Sequence, residues 1–288
     1  MTKKIQDRLN RAFDLRNTPS NTRVTYLRCI EKFEQHCGKP ASRLGRQHVE
    51  DFLLHLVRAR QLSPGTHNVY VSALWFLFRV LGRPELVLVV PRRKQPLVQP
   101  AVLAPAQVEQ VLGAVKPIAP RTILTVAYAA GLRISEACGL CFEDIDSKSM
   151  VLHVRYGKGA RERSVMLSPT LLRVLRSYYR TTRPVGPQLF PGRDRRRPLT
   201  RAAVSKALKE GLDRCELNLH ITPHTMRHSF ATQLLEDGVD IRTVQILLGH
   251  GSICSTARYT HLTPARMGKI VSPLERLDSL TRPATPRR

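Results

Sequence analysis

Acidic residues are scarce in this chain. Its 288 residues carry 22 Asp+Glu against 47 Lys+Arg, a formal charge of +25 at pH 7. A globular protein so unbalanced repels itself unless it meets a polyanion, and nucleic acid is the leading one. The same scarcity argues against two-metal nuclease chemistry, which needs convergent carboxylates. The densest acidic group, Glu143, Asp144 and Asp146, is local and reads as a solvated turn leading into a strand. Aromatics make up only 6% of the chain, which does not support stacking on single-stranded nucleic acid. The single tryptophan, Trp75, reads as core or interface. Long apolar runs are missing too. The longest, Leu86 to Val90, is far short of a membrane span, and Met1 to Arg16 has no apolar stretch of signal-peptide type. No G-x-x-x-x-G-K-[ST] occurs, so ATP-driven work is unsupported. Six cysteines do not make a disulfide scaffold in a chain of this length. Cys138 and Cys141 form a C-x-x-C without a second pair at zinc spacing, and read as two half-buried thiols one helical turn apart. The expectation is a cytoplasmic, nucleoid-associated protein in a reducing compartment, without membrane, metal or cofactor.

What is present is enough for packed cores: 42% of the residues are hydrophobic, and the length suits two domains. Prolines divide the chain. The run PRRKQPLVQPAVLAP holds Pro91, Pro96, Pro100 and Pro105, each of which disfavours helix in the residue before it. The division is a helical domain over 1–92, an extended linker over 93–104 and a second domain over 105–288. In the first, Val24, Leu27, Ile30, Phe33 and Cys37 make one apolar helix face, and Val49, Phe52, Leu53, Leu56 and Val57 a second. Ser63-Pro64 opens a third helix, whose stripe of Val69, Ala73, Leu74, Leu77, Val80 and Leu81 stops at Gly82. The second domain mixes elements. Helices are expected over 105–115, 120–129 and 134–140. A hairpin of Met150–Arg155 and Arg163–Leu167 follows, with Gly157-Lys158-Gly159 at its tip. Further helices open at Ser168-Pro169, at Thr200 (running to about Cys215), at Thr222-Pro223 and at Asp240. The fold class is mostly α with a small antiparallel β-sheet.

His224 and His228 stand at i, i+4, a spacing that can bind zinc, but the Glu of H-E-x-x-H is missing and Arg227 beside them repels a cation. The segment makes more sense facing an anion. His224 and Arg227 share a helix face, and arginine offers a bidentate fork to phosphate oxygens. Arg133 follows a turn at Gly131, and His250 and Tyr259 come later in the chain. Singly these residues are weak signals, since a lone arginine is usually solvated and a lone tyrosine half-buried.

Together they are specific. Arg133, Lys158, His224, Arg227, His250 and Tyr259 occur in order within AGLRISEACGLCFEDID, RYGKGARERSVMLSP, ITPHTMRHSFATQLLEDGVDIRTVQILLGH and STARYTHL. From about residue 101 to 265 the chain resembles the tyrosine recombinase (phage integrase) family. The SNTRVTYLRCIEKFEQHCG opening is similar to that family's helical core-binding, SAM-like domain. The resemblance implies an α+β catalytic domain that cuts and rejoins duplex DNA through a 3′-phosphotyrosyl link, without ATP or metal. It implies Tyr259 as nucleophile, Arg133 and Arg227 as phosphate clamp, Lys158 as acid for the leaving 5′-oxygen, His224 as acid/base and His250 as a second phosphate donor. Glu136 matches a supporting acidic position. His228 and His261 are assigned to packing. Ser255-Thr256 and Gln233 depart from the commoner family residues.

Two rival readings use the same features: a type IB topoisomerase that relaxes supercoils as a monomer, and a catalytically silent DNA-binding regulator. The motifs favour a recombinase; its size resembles the Xer type or an integrase of a mobile element, and the positive charge and the proline- and arginine-rich tail tilt slightly to the latter. Arg92, Arg93 and Lys94, with Arg193, Arg195, Arg196 and Arg197, are the expected phosphate contacts as the two domains close on duplex DNA. The expected assembly is a homotetramer on two DNA sites formed from monomers, with room for a second recombinase or accessory protein. Leu274, Leu277 and Leu280 form a tail stripe that can cover the chain's own core or, as the resemblance implies, be donated to a neighbouring subunit.

Overall fold

A computed structural model describes residues 2–88, 90, 92–95, 101–155, 162–215, 217 and 220–249. The chain divides into two compact units, Met1–Val98 and Gln99–Arg288.

The first unit is helical: α1 (Lys3–Leu15), α2 (Ser20–Cys37), α3 (Arg46–Arg58), α4 (Pro64–Leu81) and the short α5 (Glu85–Leu88). The polar N-terminus turns out to be an amphipathic helix. Ile5, Leu9 and Phe13 recur every fourth residue and are buried. Helix α4 opens and closes as its sequence predicts. The Ser63 hydroxyl accepts from the Thr66 N–H, Pro64 occupies the first turn, and Gly82 ends the helix at φ 79°. Its apolar stripe is wider than expected, because α1, α2, α3 and α5 all pack on it. Tyr70, Val71, Phe76 and Phe78 are therefore buried beside Ala73, Leu74 and Leu77. Phe13 stacks on Phe76 with ring centroids 4.5 Å apart. Two expected core positions lie outside the core: Val24 is 46% exposed and Val69 37%. Both sit at the first or second turn of their helices, on the flank rather than the centre of the apolar face. Trp75 is half-buried, with the Arg79 guanidinium over its ring.

The second unit holds α6 (Pro105–Ala114), α7 (Ile118–Ala129), α8 (Ile134–Cys138), β1 (Ile145–Asp146), β2 (Val151–Val154), β3 (Arg163–Met166), α9 (Pro169–Thr182), α10 (Arg201–Leu212), α11 (Pro223–Glu236) and α12 (Ile241–Leu248). The three strands form an antiparallel sheet in sequence order, with Val151 opposite Met166 and Val154 opposite Arg163. Leu152, Val154 and Val165 face the core. Helix α7 is the centre: Ile123, Leu124, Val126 and Ala127 are fully buried, and α8, α9, α10 and α11 pack around it. Thr200, Ser168 and Asp240 each cap the helix that follows, accepting from Ala203, Leu171 and Thr243 N–H groups.

Two local readings are corrected. Asp144 is not solvated. It is 4% exposed, accepts from the Cys141 N–H at 2.8 Å and pairs with Arg155 at 2.7 Å, which ties the turn to the hairpin. Cys138 is fully buried at the end of α8, while Cys141 lies beyond the helix in a bridge to Gln188. Burial pushes the Cys138 thiol up to about 11, so it is inert as a nucleophile.

Leu103, on the approach to α6, is bound at both its polar atoms by α11. Its N–H donates to Ser229 and its carbonyl accepts from Gln233, each at 2.9 Å, and Tyr128 donates to Gln233 at 2.6 Å. The departure at Gln233 thus falls on a helix–loop fastening.

Phe13 is fully buried and stacked, so Phe13→Ala should destabilise the first unit by about 3–5 kcal/mol. Thermal unfolding followed by circular dichroism checks this; a loss below 1 kcal/mol would mean α1 is not part of that core.

Candidate active site

The site is assembled around a turn that only glycine fits. Gly131 closes α7 at φ 64°, and a Cβ there would lie 2.4 Å from the Phe230 ring of α11. This close approach seats the start of α8 on α11. Arg133 is the N-cap of α8. Its backbone N–H donates to Glu136 Oε2 at 2.8 Å, the return half of a capping box.

Glu136 is only 7% exposed, and three guanidinium groups converge on it. Arg133 Nη1 donates to Oε1 at 2.6 Å. Arg163, from the first residue of β3, donates to Oε2 at 2.7 Å and to Oε1 at 3.2 Å. Arg227, from the second turn of α11, stands 3.7 Å away. Burial works to raise the Glu136 pKa, but the hydrogen bonds and charge of Arg163, joined by those of Arg133, outweigh it and hold the carboxyl below its ordinary value.

Arg227 is 4% exposed and threads between two elements, donating to the Gly131 carbonyl at 2.8 Å and the Leu248 carbonyl at 2.5 Å. The C-terminal end of α12 is thus a junction: Leu248 is bound by Arg227, Leu247 by Arg163 at 2.9 Å and Gly249 by Arg133 at 3.3 Å. Cations on these last carbonyls also suit the negative end of the helix dipole.

His224 lies at the surface in the first turn of α11. The covered part of its ring, and then the positive charges of Arg227, Arg133 and Arg201, hold its pKa below the usual histidine value. At pH 7 it is therefore a neutral imidazole beside fixed cations, able to accept a proton as well as to donate a hydrogen bond. The arrangement presents guanidinium charge and a neutral histidine at one place, which suits an anion such as a phosphate.

The structure thus brings Arg133, Glu136, His224 and Arg227 together from α8 and α11. Lys158, His250 and Tyr259 lie outside the described residues, as does His261. His228 is half-buried. Of the DNA-contact candidates, Arg92 and Lys94 are exposed, the former donating to Ser72 at 3.2 Å. Arg93 is more committed: its guanidinium donates to the Leu62 carbonyl at 3.0 Å and its backbone pairs with Asn68. Arg193, Arg195, Arg196 and Arg197 are all exposed on a loop that Asp194 folds back on itself. Among the described residues no group of three His, Cys, Asp or Glu could hold a metal ion, and no helix is long and apolar enough to cross a membrane.

Arg163 is the site residue that the sequence reading missed. Its signal was parity. In β3 it shares a face with buried Val165, so a charged side chain points inward where an apolar one is expected.

The chain was compared with known proteins. The model described as "Phage integrase family" matches residues 101–266, and "Phage integrase, N-terminal SAM-like domain" matches residues 5–86. The integrase/recombinase y4qK of Sinorhizobium fredii is 42% identical over 277 residues, covering 95% of this chain and 89% of that protein. Tyrosine recombinase XerA of Pyrococcus horikoshii is 31% identical over 271 residues, covering 93% of this chain and 92% of its own. Among solved structures, the Tn1549 transposon integrase with a circular intermediate DNA shares the fold at a TM-score of 0.72. It is 20% identical, with 95% of this chain and 99% of that one covered.

Glu136→Gln leaves two buried guanidinium groups without their carboxylate and should cost about 3–5 kcal/mol. Because the folded pKa of Glu136 is depressed, its contribution is complete above the ordinary carboxylate pKa and fades as pH falls through the lower folded value. Urea unfolding between pH 7 and pH 3 should therefore show a steeper acid loss in the wild type than in Glu136→Gln. Equal slopes would remove Glu136 from that role.

Proposed function

The chain belongs to the phage integrase family of tyrosine recombinases, DNA strand-transferring enzymes, and on that premise we propose that it cuts and rejoins duplex DNA at specific sites through a 3′-phosphotyrosyl intermediate. The observation that carries the reading is the convergence of Arg133 and Arg227, from two separate helices, on one buried carboxylate beside a neutral His224. Cleavage without metal needs a nucleophile, charge neutralisation and a leaving-group acid, and the six matched residues supply one set.

Tyr259 Oη attacks the scissile phosphorus, and the P–O5′ bond breaks. The phenol proton passes to His224, and Lys158 protonates the departing 5′-oxygen. Arg133 and Arg227 stabilise the charge that builds on the non-bridging oxygens, with His250 as a further donor. Glu136 orients the two arginines. A phenol of pKa about 10 is a poor nucleophile at neutral pH, and the cationic surroundings favour its phenolate. The phosphotyrosyl bond keeps the energy of the broken phosphodiester, so attack by a 5′-hydroxyl rejoins the strand without ATP.

The partner is duplex DNA. The net charge supports it, and so does the relation to the Tn1549 integrase, whose structure holds a circular intermediate DNA. Arg92, Lys94 and Arg193 to Arg197 offer exposed charge for backbone contacts, with Arg93 holding its segment in place. Recombination joins four strands with one tyrosine each, so we propose a homotetramer on two sites, monomers when free and the Leu274–Leu280 stripe donated between neighbours. We propose a mobile-element role over Xer-type resolution, which fits the likeness in fold to the Tn1549 transposon integrase.

Incubated with a nicked duplex that traps cleavage, the protein should form a covalent adduct, also in EDTA; Tyr259→Phe should bind the same DNA and form none. Arg133→Ala and Arg227→Ala should each raise the cleavage barrier by roughly 3–4 kcal/mol. An adduct with Tyr259→Phe, or an absolute need for Mg²⁺, would sink the mechanism. DNA affinity should fall with salt at a log–log slope of about −0.9 per phosphate neutralised. A flat dependence would refute the electrostatic contacts.

A further inference from the structure

Helix α9 contains no acidic residue, and its charge keeps to one side. Leu171, Leu175 and Tyr178 are buried in the core. Arg173, Arg176 and Arg180 follow one another on the opposite, exposed side at steps of three and four residues, and exposed Arg183 closes the helix at its C-cap. Among the described residues none of the four pairs with a carboxylate, and their one side-chain hydrogen bond runs from Arg173 to Thr170 at 3.1 Å. Like charges at these steps repel one another and weaken a helix. Such a face is completed by a polyanion or left to water.

Its surroundings favour the polyanion. The Tyr178 ring packs on Phe190 with centroids 5.0 Å apart, and Phe190 leads into the loop of Arg193 to Arg197, closed at its base by a bridge between Pro191 and Pro198. The foot of that basic loop therefore sits against α9. The only carboxylate in either segment, Asp194, accepts from the Arg196 N–H within the loop. Dimensions agree as well. From Arg173 to Arg183 the helix rises about 15 Å. One strand of duplex DNA carries a phosphate about every 3.4 Å of axis, so the row spans about four phosphates, and guanidinium forks match phosphate oxygens. An acidic peptide seated in the groove that Phe142, Leu172 and Tyr179 line beside the row would meet only Arg176 and Arg180. A DNA strand meets all four. We propose that the exposed arginine face of α9 is a docking surface for duplex DNA, continuing the contacts of the Arg193–Arg197 loop along the helix. The proposal rests on the reading of that loop as a contact to the DNA backbone.

The test uses the full chain and a duplex of random sequence, with affinity read by fluorescence anisotropy from low to high salt. Arg173→Gln, Arg176→Gln, Arg180→Gln and Arg183→Gln, made together, should reduce the log–log salt slope by about 3, near the −0.9 expected for each of about four phosphates. Binding at the lowest salt should weaken at least about tenfold. Changing the same four residues to lysine keeps the charge and should hold the slope to within about one phosphate of wild type. A photo-reactive residue in place of exposed Ser177, between Arg176 and Arg180 in the helix, should cross-link to the bound duplex. A general loss of net charge would weaken binding without any cross-link there. Since only exposed, mutually repelling charges are removed, the melting temperature should not fall. Should the fourfold glutamine protein still not fold, Arg176→Gln with Arg180→Gln decides, with about half the change in slope. An unchanged slope, or a bound duplex that does not cross-link at Ser177, overturns the proposal and leaves the face to an acidic protein or to water. Glutamine at Arg193, Arg195, Arg196 and Arg197 tests the loop by itself. An unchanged slope in that protein would overturn the loop reading, and the α9 variants would still decide this proposal.

Discussion

A single buried carboxylate organises the catalytic unit. Glu136 lies where α8, β3 and α11 meet, and each of those elements sends it an arginine. Burying Glu136, Arg163 and Arg227 beside a part-exposed Arg133 is costly unless each is paired and its remaining donors are satisfied. Here the remaining donors go to the last carbonyls of α12 and to the Gly131 carbonyl. The ion cluster therefore also serves as the C-cap of α12, whose end leads toward His250 and Tyr259. Stability and placement of the site come from the same set of bonds.

That economy has an electrostatic consequence. Three guanidinium groups and one carboxylate leave the cluster with a positive excess, in a place where water is largely excluded. Burial of part of the His224 ring, and then this excess, hold down its protonation, so a neutral imidazole sits beside permanent cations. A site of this kind attracts phosphate and offers a proton acceptor without needing a metal to generate either property. Under the proposed function it also ties the net basicity of the chain to a local role, with surface arginines for a polyanion and Arg133 and Arg227 for a single phosphate.

The helical first unit follows a different logic. Its stability comes from α4, which is apolar around most of its circumference because four other helices cover it. Apart from buried Glu34, which accepts from the Ala41 N–H at 2.8 Å, charge there lies on the loops and outer helix faces. The basic segment before the second unit is anchored by Arg93 and Asn68, so its exposed neighbours Arg92 and Lys94 stand on a held backbone.

Much of this was legible in the residues alone. Caps at Ser63, Ser168, Thr200 and Asp240, stops at Gly82 and Gly249, and the proline-punctuated linker are local signals, set by interactions within a few residues. Arg133, His224 and Arg227 were recognisable because the ordered motifs keep local neighbours intact. The amphipathic α1 carried its stripe of Ile5, Leu9 and Phe13 in the open, and its many charges masked it. The exposure of Val24 and Val69 was not legible, since periodicity tells which residues share a face but not how far a partner covers it. Nor was the burial of Asp144, which depends on Arg155 arriving from the next strand. Above all, no spacing rule could join Arg163 to Glu136: the two lie on different elements, and a hydrogen bond between them exists only once the sheet packs against α8. The chain's local chemistry determined its helices, its charge and its reactive residue types. Tertiary packing alone brought Arg163 and Arg227 to the carboxylate that Arg133 meets locally, because those distances close only in the folded core.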